Sequence, residues 1–354
     1  MTCTGIVLHD NIRHSAIRIR SHTHSNTYTY TLCTAAAAAT SSSALAMAST
    51  PLRVGYVPEH FSTPIHFASK HFGLDAQLIP FPSGTGHMIT ALRSDEIDVG
   101  IGLTEGWVAG LGKEDVEGDG GYRLVGTYVE TPLCWAVSTG AGRPDISSID
   151  SLNGRKIGVS RLGSGSYVMG FVLADQQGWL PQKPAGSSSS SPSPYSDFVI
   201  LSTFENLRKA VNSGEADFFM WEHFTSKRYY DSGDIRKVAE IYTPWSSWKI
   251  VAGTSLVRDG QLDLRLHDLF DKLDKGIHHF NHNHDEAVTY ISTELDYSEE
   301  DAREWLKTVR FPTRTEGVDV TVAENTVTTL RKAGVLTAGK GMEPSQMVAR
   351  QRAS

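Results

Sequence analysis

From Leu52 onward the chain alternates short apolar runs with amphipathic stretches. LRVGYV (52–57) is apolar, contains β-branched residues, and predicts a buried strand. Thr63 and Pro64 then supply a capping hydroxyl and a proline at the first helical position, so a helix is expected to run through Phe72 and stop at Gly73. AQLIPF (76–81) predicts a second strand. The loop Ser83–Gly86, SGTG, opens a second helix with Met88, Ile89 and Leu92 on one face, and IDVGIGL (97–103) predicts a third strand. The order β-α-β-α-β is that of a parallel sheet covered by helices.

The same order returns from Arg155. RKIGVS, DFVILS and EADFFMW predict strands; GSGS (163–166) opens a helix through Asp175 that ends near Gly178, and Phe204–Asn212 predicts another. ALRSDEIDVG (91–100) and AVNSGEADFF (210–219) carry Ala, Ser, Glu and Asp at matching places, with an offset of 119 residues. Gly55 and Gly158 match at an offset of 103, and the difference of 16 equals the length of PQKPAGSSSSSPSPYS, 181–196. That Ser/Pro-rich stretch reads as a flexible insertion in the second copy. The chain is therefore expected to be α/β, with two similar units. From Leu256 the pattern is mostly helical, and Ser298 with Asp301 reads as a capping pair.

Composition narrows the function classes. A net charge of −7 over 354 residues leaves no basic footprint for nucleic acid. No apolar run is long enough for a membrane span. Cys3, Cys33 and Cys134 make neither a disulfide framework nor a CxxC pair, and no N-x-S/T sequon occurs. These point to a cytoplasmic protein. Residues 1–46 hold three arginines, many hydroxyl residues, an alanine run and one acid, Asp10, which suits a mitochondrial presequence. Residues 1–50 are thus read as a disordered or targeting extension, or as sequence upstream of a true start at Met47.

The wording LRVGYVPEHFSTPIHFA, PSGTG, ALRSDEIDVGIGLTEGWVAG and SLNGRKIGVSRLGSGS resembles the type II periplasmic-binding-protein-like family. Within it the thiamine-pyrimidine-synthase/sulfonate-binding branch is most similar, and GYVPEHF, TEGW, SRLGSGS and WEHF resemble an uncharacterised fungal group. The resemblance covers Leu52–Gly341. It implies two lobes joined by crossovers near 132–139 and 242–249: lobe I from 51–137 plus 247–345, lobe II from 138–246, and a tail at 346–354. Ligand would lie in the cleft between lobes, where the carboxyl ends of strands face.

Loops after those strand ends give the candidate ligand-binding residues: Glu59, His60, Ser83, Thr85, Thr104, Glu105 and Trp107 from the first lobe, and Ser164, Gly165, Ser166, Trp221 and Glu222 from the second. The crossovers add Glu130, Thr131 and Trp245. A helix N-terminus such as GSGS suits an anion. Tryptophan faces suit flat rings or cations, and glutamates accept from amino groups. The expected function is an intracellular small-molecule binding protein that closes by hinge motion over a pyrimidine-like (thiamine-precursor-like) or sulfonate-like metabolite. The alternative is an enzyme related to the pyridoxal-phosphate-dependent thiamine pyrimidine synthases of the family. Those use an active-site histidine and a cysteine-rich iron-binding run. This chain has no such run and no lysine in the cleft loops, so no catalytic residue and no cofactor is assigned. HHFNHNH (278–284) reads as a solvated helix face, with no metal assigned. A homodimer stays open beside a monomer.

Overall fold

The structure is a computed structural model and describes residues 50–180, 193–258 and 260–352. The expected N-terminal extension and most of the Ser/Pro insertion lie outside the described residues.

The first sheet combines β1 (Leu52–Tyr56), β2 (Ala76–Pro80), β3 (Val99–Leu103), β4 (Tyr122–Val129) and a late strand, β10 (Trp248–Gly253), in the order β2-β1-β3-β10-β4. The second combines β5 (Cys134–Gly140), β6 (Lys156–Val159), β7 (Asp197–Ile200), β8 (Phe218–Glu222) and β9 (Ile235–Tyr242), in the order β7-β6-β8-β5-β9. The plans are the same. Three strands run parallel in each, and the fourth, β10 or β5, enters antiparallel after the chain has crossed from the other sheet. This is the two-lobed type II periplasmic-binding-protein fold.

The repeated strings mark a repeated hydrogen bond. Asp98 Oδ2 accepts from the Arg53 N–H at 2.8 Å, and Asp217 Oδ2 accepts from the Lys156 N–H at 2.9 Å. Each aspartate pins the start of its third strand to the start of the first. A guanidinium braces each carboxylate: Arg53 at 2.8 Å from Asp98, and Arg143 at 2.6 Å from Asp217.

Helix α1 (Thr63–Phe72) has the expected proline in its first turn and ends at Gly73, whose φ of 64° would strain any other residue. Helices α2 (Thr85–Arg93) and α3 (Thr104–Gly112) complete the first unit; α4 (Gly165–Gln176), α5 (Phe204–Ser213) and α6 (His223–Asp231) belong to the second. The C-terminal helices are α7 (Leu264–His282), α8 (His284–Glu294), α9 (Glu299–Leu306), α10 (Val320–Lys332) and the short α11 (Pro344–Met347). Helix α7 crosses α1 at Gly276, where a Cβ would lie 2.3 Å from the Pro64 carbonyl oxygen, so only glycine allows that approach. The last described residues return to the first sheet, with Val348 bridging Leu124.

The crossovers are stitched to each other. Ser247 donates from its N–H and hydroxyl to the Thr131 carbonyl at 3.2 and 2.7 Å, and the Leu133 N–H donates to the Thr243 hydroxyl at 2.9 Å.

Candidate functional site

Strand β3 ends at Leu103 and α3 begins at once, so Glu105 falls in the first helical turn between the two sheets. It is fully buried. Its Oε2 accepts from the Trp245 indole N–H at 3.0 Å, and its Oε1 has no hydrogen-bond partner among the described residues. Across the cleft, a Cβ on Gly165 would lie 2.8 Å from the Trp135 ring and 3.3 Å from Glu105 Oε1. The N-terminus of α4 is thus closed against a carboxylate that the chain itself supplies. The serines beside it serve their own backbone: Ser164 accepts from the Tyr167 N–H and Ser166 from the Ser160 N–H, both at 3.3 Å.

A second group of polar side chains forms where β8 ends. Glu222 caps α6, its Oε2 accepting from the Thr225 N–H at 2.7 Å. Its Oε1 lies 3.9 Å from His60 Nε2. The His60 ring is buried within a box of Phe61, Tyr297 and Trp305, with centroid separations of 4.4, 4.5 and 4.4 Å. Neither of its nitrogens hydrogen-bonds among the described residues. Trp135 sits opposite Glu222 in the β5–β8 register, which links this group to the Glu105 group.

Burial governs the ionisation of these residues. It pushes the Glu59 carboxyl up to about 8, with the charge of Glu222 adding to the effect. It pushes Glu105 and Glu222 up to about 7, against the hydrogen bonds each carboxylate accepts. It holds His60 well below its ordinary value, so the imidazole is neutral. No lysine or arginine pairs with Glu59, Glu105 or Glu222 among the described residues.

The structure therefore brings together Glu59, His60, Glu105, Gly165, Glu222 and Trp245. Thr131 lies beside them, in the wall of a cavity of about 140 Å³ lined by Phe61 and Trp305 from one side and by Cys134, Glu222 and Tyr242 from the other. Several other candidates have different employment. Trp107 lies in the core of the first lobe, its ring against Gly100 and Gly102 of β3. Trp221 alternates to the opposite face of β8 from Glu222 and stacks on Phe204 at 5.0 Å, within a separate small core. Glu130 pairs outward with Arg310 at 3.1 Å and Arg352 at 2.9 Å. Thr85 is buried and accepts from the Leu103 N–H at 2.9 Å, while Ser83 is exposed. The Thr104 hydroxyl donates to the Ser246 carbonyl at 2.6 Å, a contact to the crossover between β9 and β10.

Sequence reasoning missed Trp135, Tyr297 and Trp305. The alternation in β5 could have flagged Trp135, but only once β8 was known to be its neighbour. It also missed Lys249, a buried lysine at the start of β10 that touches the Ser246 hydroxyl and is pushed down to about 7 by burial. In HHFNHNH the His278 and His282 rings lie against each other at a tilt of 33°, with centroids 4.1 Å apart. His279, between them, is the histidine that meets His71 and Glu286.

Among the described residues no helix is long and apolar enough to cross a membrane. No curated protein matches the chain. The family model described as Ca3427-like periplasmic-binding protein matches residues 135–241, nearly the whole of the second sheet. Among solved structures, the alkanesulfonate-binding protein SsuA of Xanthomonas axonopodis pv. citri, bound to MOPS, is 14% identical with a TM-score of 0.60, over 81% of this chain and 94% of that one. The aliphatic sulphonate binding protein SsuA of Escherichia coli is 15% identical with a TM-score of 0.61, over 84% and 92%. These two share the fold. The Candida albicans CA3427 gene product, which defines a family with the generic periplasmic-binding-protein fold, is 41% identical with a TM-score of 0.72, over 82% of this chain and 92% of that one. With that identity over nearly the whole length of the relative, the chain belongs to the Ca3427-like family of periplasmic-binding-protein-fold proteins.

Proposed function

We propose that this chain is an intracellular binding protein whose two lobes close over a small ligand bearing an amino or cationic group on a flat ring, of the aminopyrimidine class. The observation that carries this reading is the set of carboxylates at the interlobe cleft with no lysine or arginine paired to them among the described residues: Glu59 and Glu105 from one lobe, Glu222 from the other. A buried carboxylate without a partner is costly, and a ligand that donates to it in charge-assisted hydrogen bonds recovers that cost. Trp135, Trp245 and Trp305 supply ring faces and edges around the same space.

The same carboxylates weigh against a sulfonate. The N-terminus of α4, which would suit an anion, already faces Glu105. An anionic ligand there would lie against the Glu105 carboxyl and disfavour its ionisation further.

The test is calorimetry and thermal unfolding of the full chain with 4-amino-5-hydroxymethyl-2-methylpyrimidine, thiamine, taurine, MOPS and pyridoxal phosphate. Ligand at one hundred times its dissociation constant adds about 2.7 kcal/mol of stability. An aminopyrimidine that stabilises the wild type and fails on Glu105→Gln supports the reading. Stabilisation by sulfonates alone overturns it, and an imine absorption band with pyridoxal phosphate favours the enzyme alternative.

A further inference from the structure

Three more donor side chains converge on the second sheet, in the cavity that Glu222 also lines. We propose that Cys134, His223 and Glu240 form a zinc-binding site with one open coordination position facing the hinge-side cavity. One ligand atom from each, the Cys134 Sγ, a His223 ring nitrogen and a Glu240 carboxylate oxygen, lies within 4.8 Å of the others.

The backbone builds this arrangement. Strands β5 and β9 are antiparallel, with Cys134 opposite Tyr242 and Ala136 opposite Glu240. Period-2 alternation therefore sends Cys134 and Glu240 to one face of the sheet. Strand β8 flanks β5 on its other side, and His223 opens α6 at the end of that strand. His223 Nδ1 is buried, has no hydrogen bond among the described residues, and lies 3.8 Å from Glu240 Oε2. All three side chains line the cavity of about 140 Å³, which gives an ion and a fourth ligand a way in.

The donor set selects the metal. Thiolate, imidazole and one carboxylate suit zinc, whereas magnesium and calcium prefer oxygen ligands. Three protein ligands with a fourth position open is the pattern of a zinc site that also holds water or a small molecule. The Tyr242 hydroxyl donates to Glu240 Oε1 at 3.4 Å, and Lys237 donates to Oε2 at 3.1 Å. Its flexible, partly exposed ammonium would have to yield that oxygen to the metal.

A rival cluster exists at His71, His279 and Glu286. There the carboxylate oxygens are held by more and shorter contacts than those of Glu240: Oε1 by Lys70 and His71, each at 2.8 Å, and Oε2 by His279 at 2.7 Å. That cluster ties α1, α7 and α8 together by ion pairing.

The test is titration of the full chain, stripped of metal by a chelator, with cobalt(II) and then zinc(II). The expected result is one cobalt per chain, with the visible bands of a tetrahedral ion and a near-ultraviolet thiolate-to-cobalt charge-transfer band, both abolished by zinc. Cys134→Ser should lose the charge-transfer band. Glu240→Gln, at a partly exposed position and checked for native fold by circular dichroism, should weaken zinc binding. His279→Ala should change neither. A wild type without the charge-transfer band, a band that survives Cys134→Ser, or zinc binding lost in His279→Ala rather than Glu240→Gln would each overturn the assignment.

Discussion

Trp245 and Glu105 stand 140 positions apart, and the indole N–H of one donates to the carboxylate of the other at 3.0 Å. Trp245 lies between β9 and β10 and Glu105 on α3 of the first lobe, so a crossover is hydrogen-bonded directly to a buried carboxylate. Trp245→Phe leaves a smaller ring in a buried site and removes the hydrogen bond from the indole to Glu105 Oε2. Leaving a buried acceptor unsatisfied costs about 1–3 kcal/mol. Urea denaturation should show a loss of that size, and ligand binding should weaken along with it.

Glu59 and Glu222 titrate near 8 and 7 in the folded chain, against an ordinary value of 4.5. Between those limits the folded state holds more protons than the unfolded one. These carboxyls therefore make stability fall as pH rises from about 4.5 to 8. Glu59→Gln removes one such group. Denaturation midpoints compared at pH 5 and pH 8 should show the variant gaining on the wild type at the higher pH. An identical pH slope in both proteins would contradict this.

Lys249 acts in the opposite sense. Its folded value of about 7 lies below the ordinary 10.5, so the unfolded chain holds the extra proton between them. Stability from this group is complete above the unfolded value and is lost as pH falls through about 7. Lys249→Met places an apolar side chain of similar length there. The variant should match or exceed the wild type in thermal stability at pH 6 and lose the rise in stability between pH 7 and 10.

Asp98 and Asp217 give a paired prediction. Each accepts a main-chain N–H and braces an arginine at the same place in its lobe. Hydrogen bonds to charged groups contribute about 1.5–3 kcal/mol. Asp98→Asn and Asp217→Asn should each destabilise by that order, and their effects should add, because they lie in different sheets. Guanidinium denaturation of the singles and the double checks both statements.

That pair was legible in the sequence because it depends on local order. Strand, helix and strand recur with the same short strings, and the same backbone bond follows. The cleft was less legible because side-chain direction depends on neighbours that sequence order does not reveal. Trp221 and Glu222 are adjacent in the chain, yet alternation puts one in a small core and the other in the cleft. Glu130 is occupied by Arg310 and Arg352, 180 and 222 positions away. Tyr297 and Trp305 reach His60 only because the C-terminal helices fold back beside the cleft.

The strand order also bears on how the chain is made. In the first sheet β10 lies between β3 and β4 and is the neighbour that joins β4 to the rest. On the ribosome, β3 and β4 emerge early, but the strand that joins them begins only at Trp248, after all five strands of the second sheet. For that interval the nascent first lobe carries two unpaired apolar edges, the condition under which growing chains associate wrongly. The second sheet, an uninterrupted run from Cys134 to Tyr242, has every strand it needs as soon as it leaves the ribosome. The middle of this chain is thus placed to fold first, while the segment before it waits for β10.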